Sequence, residues 1–219
     1  SVHRCVVCGL GQTQPIPEDL SPYYENYYGG RHSFSARYRA SRRLARVSRY
    51  VNDGLLLDIG YGEGTFLEFA ATQGFECVGV ERFSGSNERT FATFEDLEAA
   101  RQAYPTRKFS AITCWHSLEH VTDADDVLAN ICEMLADDGS LFIAVPNFAS
   151  RQAEMFGKDW LHLDVPRHLV HFTEMSIEKM LRKHDLHIAD VWHHESEYDI
   201  MGWSQSFLNK IFSEKNVFF

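Results

Sequence analysis

The sequence has few of the features that mark a membrane-bound or secreted protein. It contains no apolar run that reaches the ~18 residues of a membrane span, and no secretory signal is visible after Ser1. Its five cysteines are an odd number and lack the spacing of a disulfide framework. These absences predict a cytoplasmic protein without stable membrane insertion.

Basic charge is also scarce. The chain has 21 Lys and Arg residues against 31 Asp and Glu residues, which gives a formal net charge of −10. Nucleic-acid binding depends on the neutralisation of phosphates by Lys and Arg, so a nucleic-acid partner is not expected. The hydrophobic content of 44% is enough for a sizeable core, and 219 residues fit one domain with a short appendage.

Short apolar runs alternate with amphipathic segments along most of the chain. Strands are predicted at 55–59, 75–80, 109–114, 140–145 and 187–193, and helices at 34–50, 65–73, 123–135, 174–184 and 201–212. The alternation predicts an α/β fold of the Rossmann-like kind, a doubly wound and mostly parallel sheet with helices on both faces in three layers. The predicted organisation is an irregular N-terminal arm at 1–33, a main domain at 34–200 and a C-terminal helix at 201–219.

Three glycines, Gly60, Gly62 and Gly64, lie between the first predicted strand of the main domain and the helix that follows it. Without Cβ atoms they allow positive φ angles and a close approach of the backbone to a ligand. In a doubly wound sheet such a loop lies at the carboxyl end of a strand, where ligands bind. An ordinary tight turn is the alternative.

The charge of this loop distinguishes between two nucleoside ligands. Asp58 and Glu63 place two carboxylates in the loop, which contains no Lys or Arg. A pyrophosphate would be repelled there, and Thr65 stands where the dinucleotide fingerprint needs its third glycine. S-adenosylmethionine carries a sulfonium and an ammonium group but no phosphate, so an acidic loop suits it. Glu81, at the end of the next strand, is placed to bind ribose hydroxyls, a feature that NAD enzymes share.

Three segments resemble motifs of the class I S-adenosylmethionine-dependent methyltransferases. Leu56–Glu81 resembles their glycine motif and acidic strand end, and Phe109–Val121 is similar to a fourth-strand motif that often ends in Leu-Glu-His-Val. Asp137–Asn147 resembles the turn and fifth strand that follow. The order and spacing of the three are more specific than any one of them. Within this family, the chain is broadly similar to bacterial small-molecule methyltransferases such as those of ubiquinone biosynthesis.

The resemblance implies transfer of a methyl group from S-adenosylmethionine to a small-molecule acceptor, with S-adenosylhomocysteine as the product. It implies cofactor binding by Asp58, Gly60, Tyr61, Gly62, Gly64, Glu81, Phe83, Asp96, Trp115 and His116. Asp96 has an alternative role at the start of a helix, where a negative charge is favourable. A non-catalytic cofactor-binding protein of the same fold and an NAD-dependent oxidoreductase remain as alternative functions.

Helix 34–50 and two histidines complete the predicted site. One of the five arginines at 39, 42, 43, 46 and 49 is expected to meet a ligand carboxylate, with a solvated basic face as the alternative. Methyl transfer from a sulfonium depends mainly on positioning, and His116 and His168 are predicted general bases. His168 lies in Lys158–His171, a segment that commonly covers the acceptor pocket in this fold. The adjacent Glu119 and His120 form a Glu-His pair, for which packing or capping is the alternative.

Cys5 and Cys8 have the spacing of one half of a zinc knuckle. Structural zinc needs four ligands, and only these two are visible, so no metal is predicted in this sequence. The segment through Pro17 resembles the second half of a zinc ribbon, whose first cysteine pair would precede Ser1.

Overall fold

The computed structural model describes residues 1–24, 34–82 and 89–212, which form two compact units. The terminal unit comprises Ser1–Leu20, Glu119–Ala124 and Pro146–Phe219. The sheet unit comprises Ser21–Leu118 and Asp125–Val145.

The chain begins with a β-hairpin in the terminal unit. Strand β1 (Val2–Arg4) pairs antiparallel with β2 (Gly11–Thr13), and the two cysteines Cys5 and Cys8 lie in the connection between them. The prediction of an irregular arm is therefore wrong for these first residues. Local sequence does not reveal this hairpin because its second strand is held from outside, by pairing with residues more than 150 positions away.

The sheet unit is built on five parallel strands. Along the chain these are β3 (Gly54–Ile59), β4 (Phe75–Val80), β5 (Ala92–Phe94), β6 (Phe109–Trp115) and β7 (Leu135–Ala144), and their order in the sheet is β5-β4-β3-β6-β7. The chain winds outward from β3 to β5 and then returns to β6 on the other side of β3. The strand order therefore reverses between β3 and β6, and ligands of doubly wound sheets bind at the carboxyl ends of such strands.

Helices α1 (Phe34–Val47), α2 (Thr65–Thr72), α3 (Leu97–Ala103) and α4 (Ala124–Met134) surround this sheet. Leu44 and Val47 of α1 and Leu67 of α2 share one core cluster with Leu56 of β3. Successive residues of a strand point to opposite faces, and Leu55 and Leu57 are as deeply buried as Leu56. Both faces of the central strand are thus covered, which confirms the predicted Rossmann-like architecture.

The last parallel strand, β7, begins earlier than predicted. The Asp137-Asp138-Gly139 segment, expected as a turn, lies within β7. The pairing of β7 with β6 is irregular there, because Phe109 lies opposite Leu135 while Ala111 lies opposite Ser140. The remainder of β7 pairs in register with β6 as far as Ala144.

The rest of the terminal unit is mostly helical. It contains α5 (Arg151–Phe156), strand β8 (Val170–His171), α6 (Glu174–Lys183) and α7 (Ser196–Ile211). Strand β8 pairs antiparallel with β2 and completes a three-stranded sheet. Helix α7 begins five residues earlier than predicted. Within the described ranges no helix is long and apolar enough to cross a membrane.

The strand predicted at 187–193 is wrong. Residues 187–194 have no regular secondary structure and all of their side chains are exposed. The apolar residues that produced the prediction, among them Ile188 and Val191, are 40% and 43% exposed. A short alternating pattern forms a strand only if it pairs with another strand. In the described part of the chain the parallel sheet ends at β7, and no further strand pairs with it.

Thr173 is expected to stabilise the terminal unit through its hydroxyl. It caps α6 in a reciprocal capping box with Ser176, and the hydroxyl also donates to the carbonyl oxygen of Cys8 at 2.9 Å. Thr173→Ala should lower the free energy of unfolding by about 1–2 kcal/mol, measured by urea unfolding followed by circular dichroism. Thr173→Ser keeps the hydroxyl and should recover most of this loss. Equal losses of stability in both variants would show that the methyl group of Thr173, and not its capping hydroxyl, stabilises the unit.

Candidate functional site

The predicted glycine loop connects β3 to α2 at the point where the strand order reverses. Gly60, Gly62 and Gly64 have φ angles of 78°, 56° and 79°, which confirms the expected left-handed conformation. A Cβ atom on Gly60 would lie 2.4 Å from Cβ of Ser117, in the segment after β6. Any side chain at this position would therefore force the two strand ends apart.

Asp58 is the last-but-one residue of β3, and it is almost completely buried. Oδ1 of its carboxylate accepts a hydrogen bond of 2.6 Å from the hydroxyl of Thr113, which is its direct partner on β6. Burial raises the pKa of Asp58 to about 7, although the Thr113 hydrogen bond and the positive charge of Arg43 act to lower it. The site therefore holds a carboxyl group that would gain from a cation placed beside it.

Glu81 directly follows β4 and directs its carboxylate towards the glycine loop. Its Oε2 accepts a hydrogen bond of 3.0 Å from the backbone N–H of Gly62. Its own N–H donates to the carbonyl oxygen of Phe94 at 3.0 Å, which fixes the backbone next to the end of β5. The side chain is buried, so the loop and the two strand ends together hold it in one position.

Arg43 is the arginine of α1 that the fold brings to this site. Its guanidinium lies over the indole of Trp115, 5.0 Å from the ring centroid. Its charge also acts on Asp58, as the pKa of that carboxyl shows. The helical pattern predicted one ligand-binding arginine among five, but only the packing of α1 against the sheet distinguishes Arg43 from the others.

Three polar side chains near the glycine loop, two of them only half-buried, have buried hydrogen-bonding atoms that are unsatisfied. Within the described ranges, the hydroxyl oxygens of Thr65 and Ser117 and the indole nitrogen of Trp115 are buried without a hydrogen-bond partner. Buried polar atoms are hydrogen-bonded in the large majority of cases. Polar atoms of a bound molecule would satisfy such groups, and these three belong to the segments that follow β3 and β6.

The other predicted cofactor residues have different surroundings. Tyr61 is buried in the core, where its ring packs edge-on against Phe91 at 5.4 Å. Asp96 caps α3 by accepting a hydrogen bond of 2.8 Å from the N–H of Ala99, which is the alternative role that its sequence allowed. His116 follows β6 with a φ of 57° and is half-buried. Phe83 lies outside the described residues.

Arg89 is a residue of this region that the sequence did not indicate. Its guanidinium donates to the carbonyl oxygen of Glu63 at 2.6 Å and lies 3.7 Å from the carboxylate of Glu68. The glycine loop itself has no basic residue. Arg89, which lies shortly before β5, supplies a positive charge beside the loop. No local motif marks such a contact, because 26 positions separate its two partners.

His168 lies in the terminal unit, close to Glu119 and His120. Its Nε2 is 3.9 Å from Oε1 of Glu119, and its ring packs against that of His120 with centroids 4.7 Å apart. Burial lowers the pKa of His168 to about 4, in spite of the Glu119 carboxylate. His168 is therefore neutral at pH 7 in the folded chain.

The two N-terminal cysteines lie close together in the β1–β2 connection. The backbone N–H of Cys8 is the main cause that lowers the pKa of the Cys5 thiol, and the backbone of Val7 and the thiol of Cys8 contribute. Cys5 is exposed. The hairpin thus holds an exposed thiol and a half-buried thiol within one short connection.

The sheet unit combines charges of both signs within one buried site. Arg43 supplies a cation, while Asp58 and Glu81 supply carboxylates, of which Glu81 is bonded to the glycine loop itself. A zwitterionic ligand complements this arrangement better than a polyanion does.

Comparison with known proteins agrees with this geometry. The model of a family described as "Methyltransferase domain" matches residues 32–191, which is more than half of the chain. The chain belongs to this methyltransferase domain family. The matched segment contains the whole parallel sheet and both His116 and His168.

Curated relatives of this chain include ubiquinone biosynthesis O-methyltransferases. The protein from Glaesserella parasuis serovar 5 is 31% identical over 119 residues, which are 45% of this chain and 50% of that protein. The protein from Xanthomonas oryzae pv. oryzae is 27% identical over 156 residues, 62% of this chain and 64% of that protein. The chain thus spans about half to two thirds of the length of these curated relatives.

Solved structures share the fold at low sequence identity. A SAM-dependent methyltransferase from Archaeoglobus fulgidus matches with a TM-score of 0.53 and 20% identity, over 88% of this chain and 94% of that chain. The magnesium protoporphyrin IX methyltransferase from Synechocystis PCC 6803, solved with bound SAH, matches with a TM-score of 0.55 and 17% identity, over 81% of this chain and 89% of that chain. Both confirm the Rossmann-like architecture.

The ionisation of Asp58 is expected to make stability depend on pH. Its pKa is about 7 in the folded chain against an ordinary value of 3.8. Between these values the folded chain keeps a proton that the unfolded chain releases, so the free energy of unfolding falls as the pH rises. Asp58→Asn should therefore be more stable than the parent above that range, by about 4 kcal/mol at most, and equal to it in acid.

Urea unfolding over a pH series measures this difference. Asparagine keeps an oxygen that accepts the Thr113 hydrogen bond, so the variant changes the charge and retains the contact. Asp53→Asn, at an exposed position just before β3, is the matched control and should show no growing difference. A constant difference between Asp58→Asn and the parent at all pH values would contradict the assignment.

Proposed function

We propose that this protein transfers a methyl group from S-adenosylmethionine to a small-molecule acceptor and releases S-adenosylhomocysteine. One observation carries the proposal: Arg43 and the buried carboxylates of Asp58 and Glu81 surround a glycine loop at the point where the strand order reverses. The amino-acid end of this cofactor carries a carboxylate and an ammonium group, which complement these charges. Membership of the methyltransferase domain family supports the same reaction.

Each group in the site then has a role in binding. Arg43 binds the carboxylate of the cofactor, and Asp58 stabilises its ammonium group. Glu81 binds the ribose hydroxyls with the carboxylate that also holds the N–H of Gly62. The buried polar atoms of Thr65, Trp115 and Ser117 supply further hydrogen bonds.

The remaining predicted residues complete the cofactor site in this proposal. The backbone of Tyr61 and the glycines Gly60, Gly62 and Gly64 line the loop. Asp96 stands on the adenine side. Trp115 and His116 lie beside the sulfonium.

The chemistry depends mainly on orientation. When bound, the sulfonium of the cofactor supplies a methyl carbon that is already electrophilic. The chain's own residues fix the direction of that methyl group and keep water away, which lowers the barrier by holding donor and acceptor in line. His116 is the proposed general base for an acceptor that must lose a proton, and the same role for His168 stays a prediction from the sequence.

The acceptor class is proposed to be a hydroxyl on a small molecule in the cytoplasm. The curated relatives carry the name O-methyltransferase, which favours oxygen over nitrogen or carbon. A net charge of −10 opposes binding to nucleic acid. The same charge reasoning disfavours an NAD-dependent oxidoreductase, because a pyrophosphate would lie close to Asp58 and Glu81.

Binding and turnover together test this function. Calorimetry is expected to show binding of S-adenosylhomocysteine and none of NADH, and release of S-adenosylhomocysteine should follow the addition of a phenol or catechol from an acceptor panel. Glu81→Gln should weaken cofactor binding at least about tenfold, since a hydrogen bond to a charged group contributes about 1.5–3 kcal/mol. Glu76→Gln is the matched control, because Glu76 lies on β4, the strand that Glu81 follows, but pairs with Arg107 at the surface.

The outcomes separate the alternatives. Cofactor binding without turnover on any acceptor would identify a non-catalytic binding protein of this fold. Tight binding of NADH in place of S-adenosylhomocysteine would reject the proposal.

Arg43 provides a sharper test of how the cofactor is oriented. Arg43→Ala should weaken binding of S-adenosylhomocysteine about tenfold to a hundredfold, because a charged hydrogen bond is lost. Its affinity for 5′-methylthioadenosine, which lacks the amino-acid end, should stay the same. Arg42→Ala is the matched control, since Arg42 is exposed and lies over Tyr38. Equal weakening for both ligands would place Arg43 away from the cofactor carboxylate.

A further inference from the structure

The terminal unit contains a second cluster of polar side chains, of which only His168 has a predicted role in methyl transfer. The fold brings His168 next to Glu119 and His120, which precede it by almost 50 positions. One nitrogen or oxygen atom from each of the three lies within 4.8 Å of the other two. Glu119 and His168 are buried, and His120 is half-buried.

Hydrogen bonds fix which ring nitrogen of each histidine is protonated. Nδ1 of His168 lies 2.9 Å from the carbonyl oxygen of His162, and Nδ1 of His120 lies 3.1 Å from that of Arg167. A carbonyl oxygen only accepts, so both Nδ1 atoms carry a hydrogen, and in the neutral form of each ring this leaves the lone pair on Nε2. Metal-binding histidines show this arrangement, in which one nitrogen binds the ion and the other donates to a carbonyl or carboxylate.

The backbone around the cluster is held by three further hydrogen bonds. The N–H of Leu169 donates to the carbonyl oxygen of Glu119 at 2.8 Å, and the N–H of Thr13 donates to that of Leu169 at 2.9 Å. The hydroxyl of Thr13 donates to the carbonyl oxygen of His168 at 2.7 Å. The loop that carries His168 is thus tied both to Glu119 and to β2, so the three side chains start from fixed backbone positions.

We propose that Glu119, His120 and His168 bind a divalent transition-metal ion of the zinc type. Two imidazoles and one carboxylate are a ligand set that zinc uses in sites with an open position. Zn–N and Zn–O distances are about 2.0–2.2 Å, so two ligand atoms on a tetrahedral ion lie about 3.4 Å apart. The ligand atoms of the cluster lie within 4.8 Å of one another and need to approach by at most about 1.4 Å. Imidazole ligands favour transition metals over Mg²⁺ or Ca²⁺.

Asp164 is placed to support the same ion. Its Oδ2 lies 3.7 Å from Nε2 of His168, and Arg167 holds the carboxylate at 2.7 Å. A cation at this position would attract the carboxylates of both Glu119 and Asp164.

The metal site competes with the role of His168 as a general base, because both use the lone pair on Nε2. It does not depend on methyl transfer, since every ligand belongs to the terminal unit. Its failure would leave the proposed cofactor site unaffected.

Cobalt substitution and X-ray absorption on the full chain test the proposal. Cys5→Ser/Cys8→Ser serves as the background, since the exposed thiol pair would otherwise bind the same ions. One Co²⁺ per chain is expected by equilibrium dialysis, with a visible spectrum free of a thiolate band. Zinc absorption spectra of the same chain should show nitrogen and oxygen neighbours with imidazole scattering.

Ligand variants then assign the site. His120→Ala and Glu119→Gln should each weaken Co²⁺ binding at least about tenfold, the lower end of the loss that even supporting residues of metal sites cause. His193→Ala is the matched control, because His193 is exposed and outside the cluster, and it should bind Co²⁺ like the parent. Absence of bound metal, or affinity that is unchanged in both ligand variants, would overturn the proposal. The absorption spectrum of the parent decides the matter even if a variant does not fold.

Discussion

The parallel pairing of β3 with β6 is the constraint on which the candidate cofactor site depends. It places Asp58 directly opposite Thr113, whose hydroxyl is bonded to the Asp58 carboxylate, and it brings the segment after β6 against the glycine loop. Gly60 is needed because Ser117 occupies the space that a Cβ would take. The same pairing aligns Trp115 with the end of β3, where Arg43 packs over its ring. The pairing of β3 with β6 therefore determines both the charges and the backbone geometry of the site.

Sequence predicts this part of the fold well because its signals are local. A strand that is buried on both faces, such as β3, is a continuous apolar run, and the glycines after it have positive φ angles that other residues rarely adopt. Asp58 and Glu81 end consecutive strands of one βαβ unit, so their proximity follows from topology. The hydrogen bond from Gly62 to Glu81 adds a detail that topology alone does not give.

The features that sequence did not predict depend on distant partners. Arg43 differs from its neighbours on α1 only through what packs against it, and Arg89 reaches the glycine loop from beyond β4. The hairpin of β1 and β2 is completed by β8, and the cluster around His168 joins segments 119–120 and 162–171. The wrong strand prediction at 187–193 has the opposite cause. The local pattern of a strand was present there, but the segment does not pair with another strand. Local periodicity predicts elements, whereas their partners follow from the tertiary fold.

Asp58 shows how binding and stability oppose each other in this fold. A carboxyl group with a pKa of about 7 lowers the stability of the folded chain at neutral pH, because the unfolded chain ionises more readily. An ammonium group beside Asp58 would favour the ionised form of its carboxyl group. The free energy that ionisation costs the folded chain would then be offset by binding of the ligand. Replacing Asp58 with a neutral residue would therefore stabilise the protein and weaken its binding of a cationic ligand. Such a trade-off between stability and function is common at binding sites.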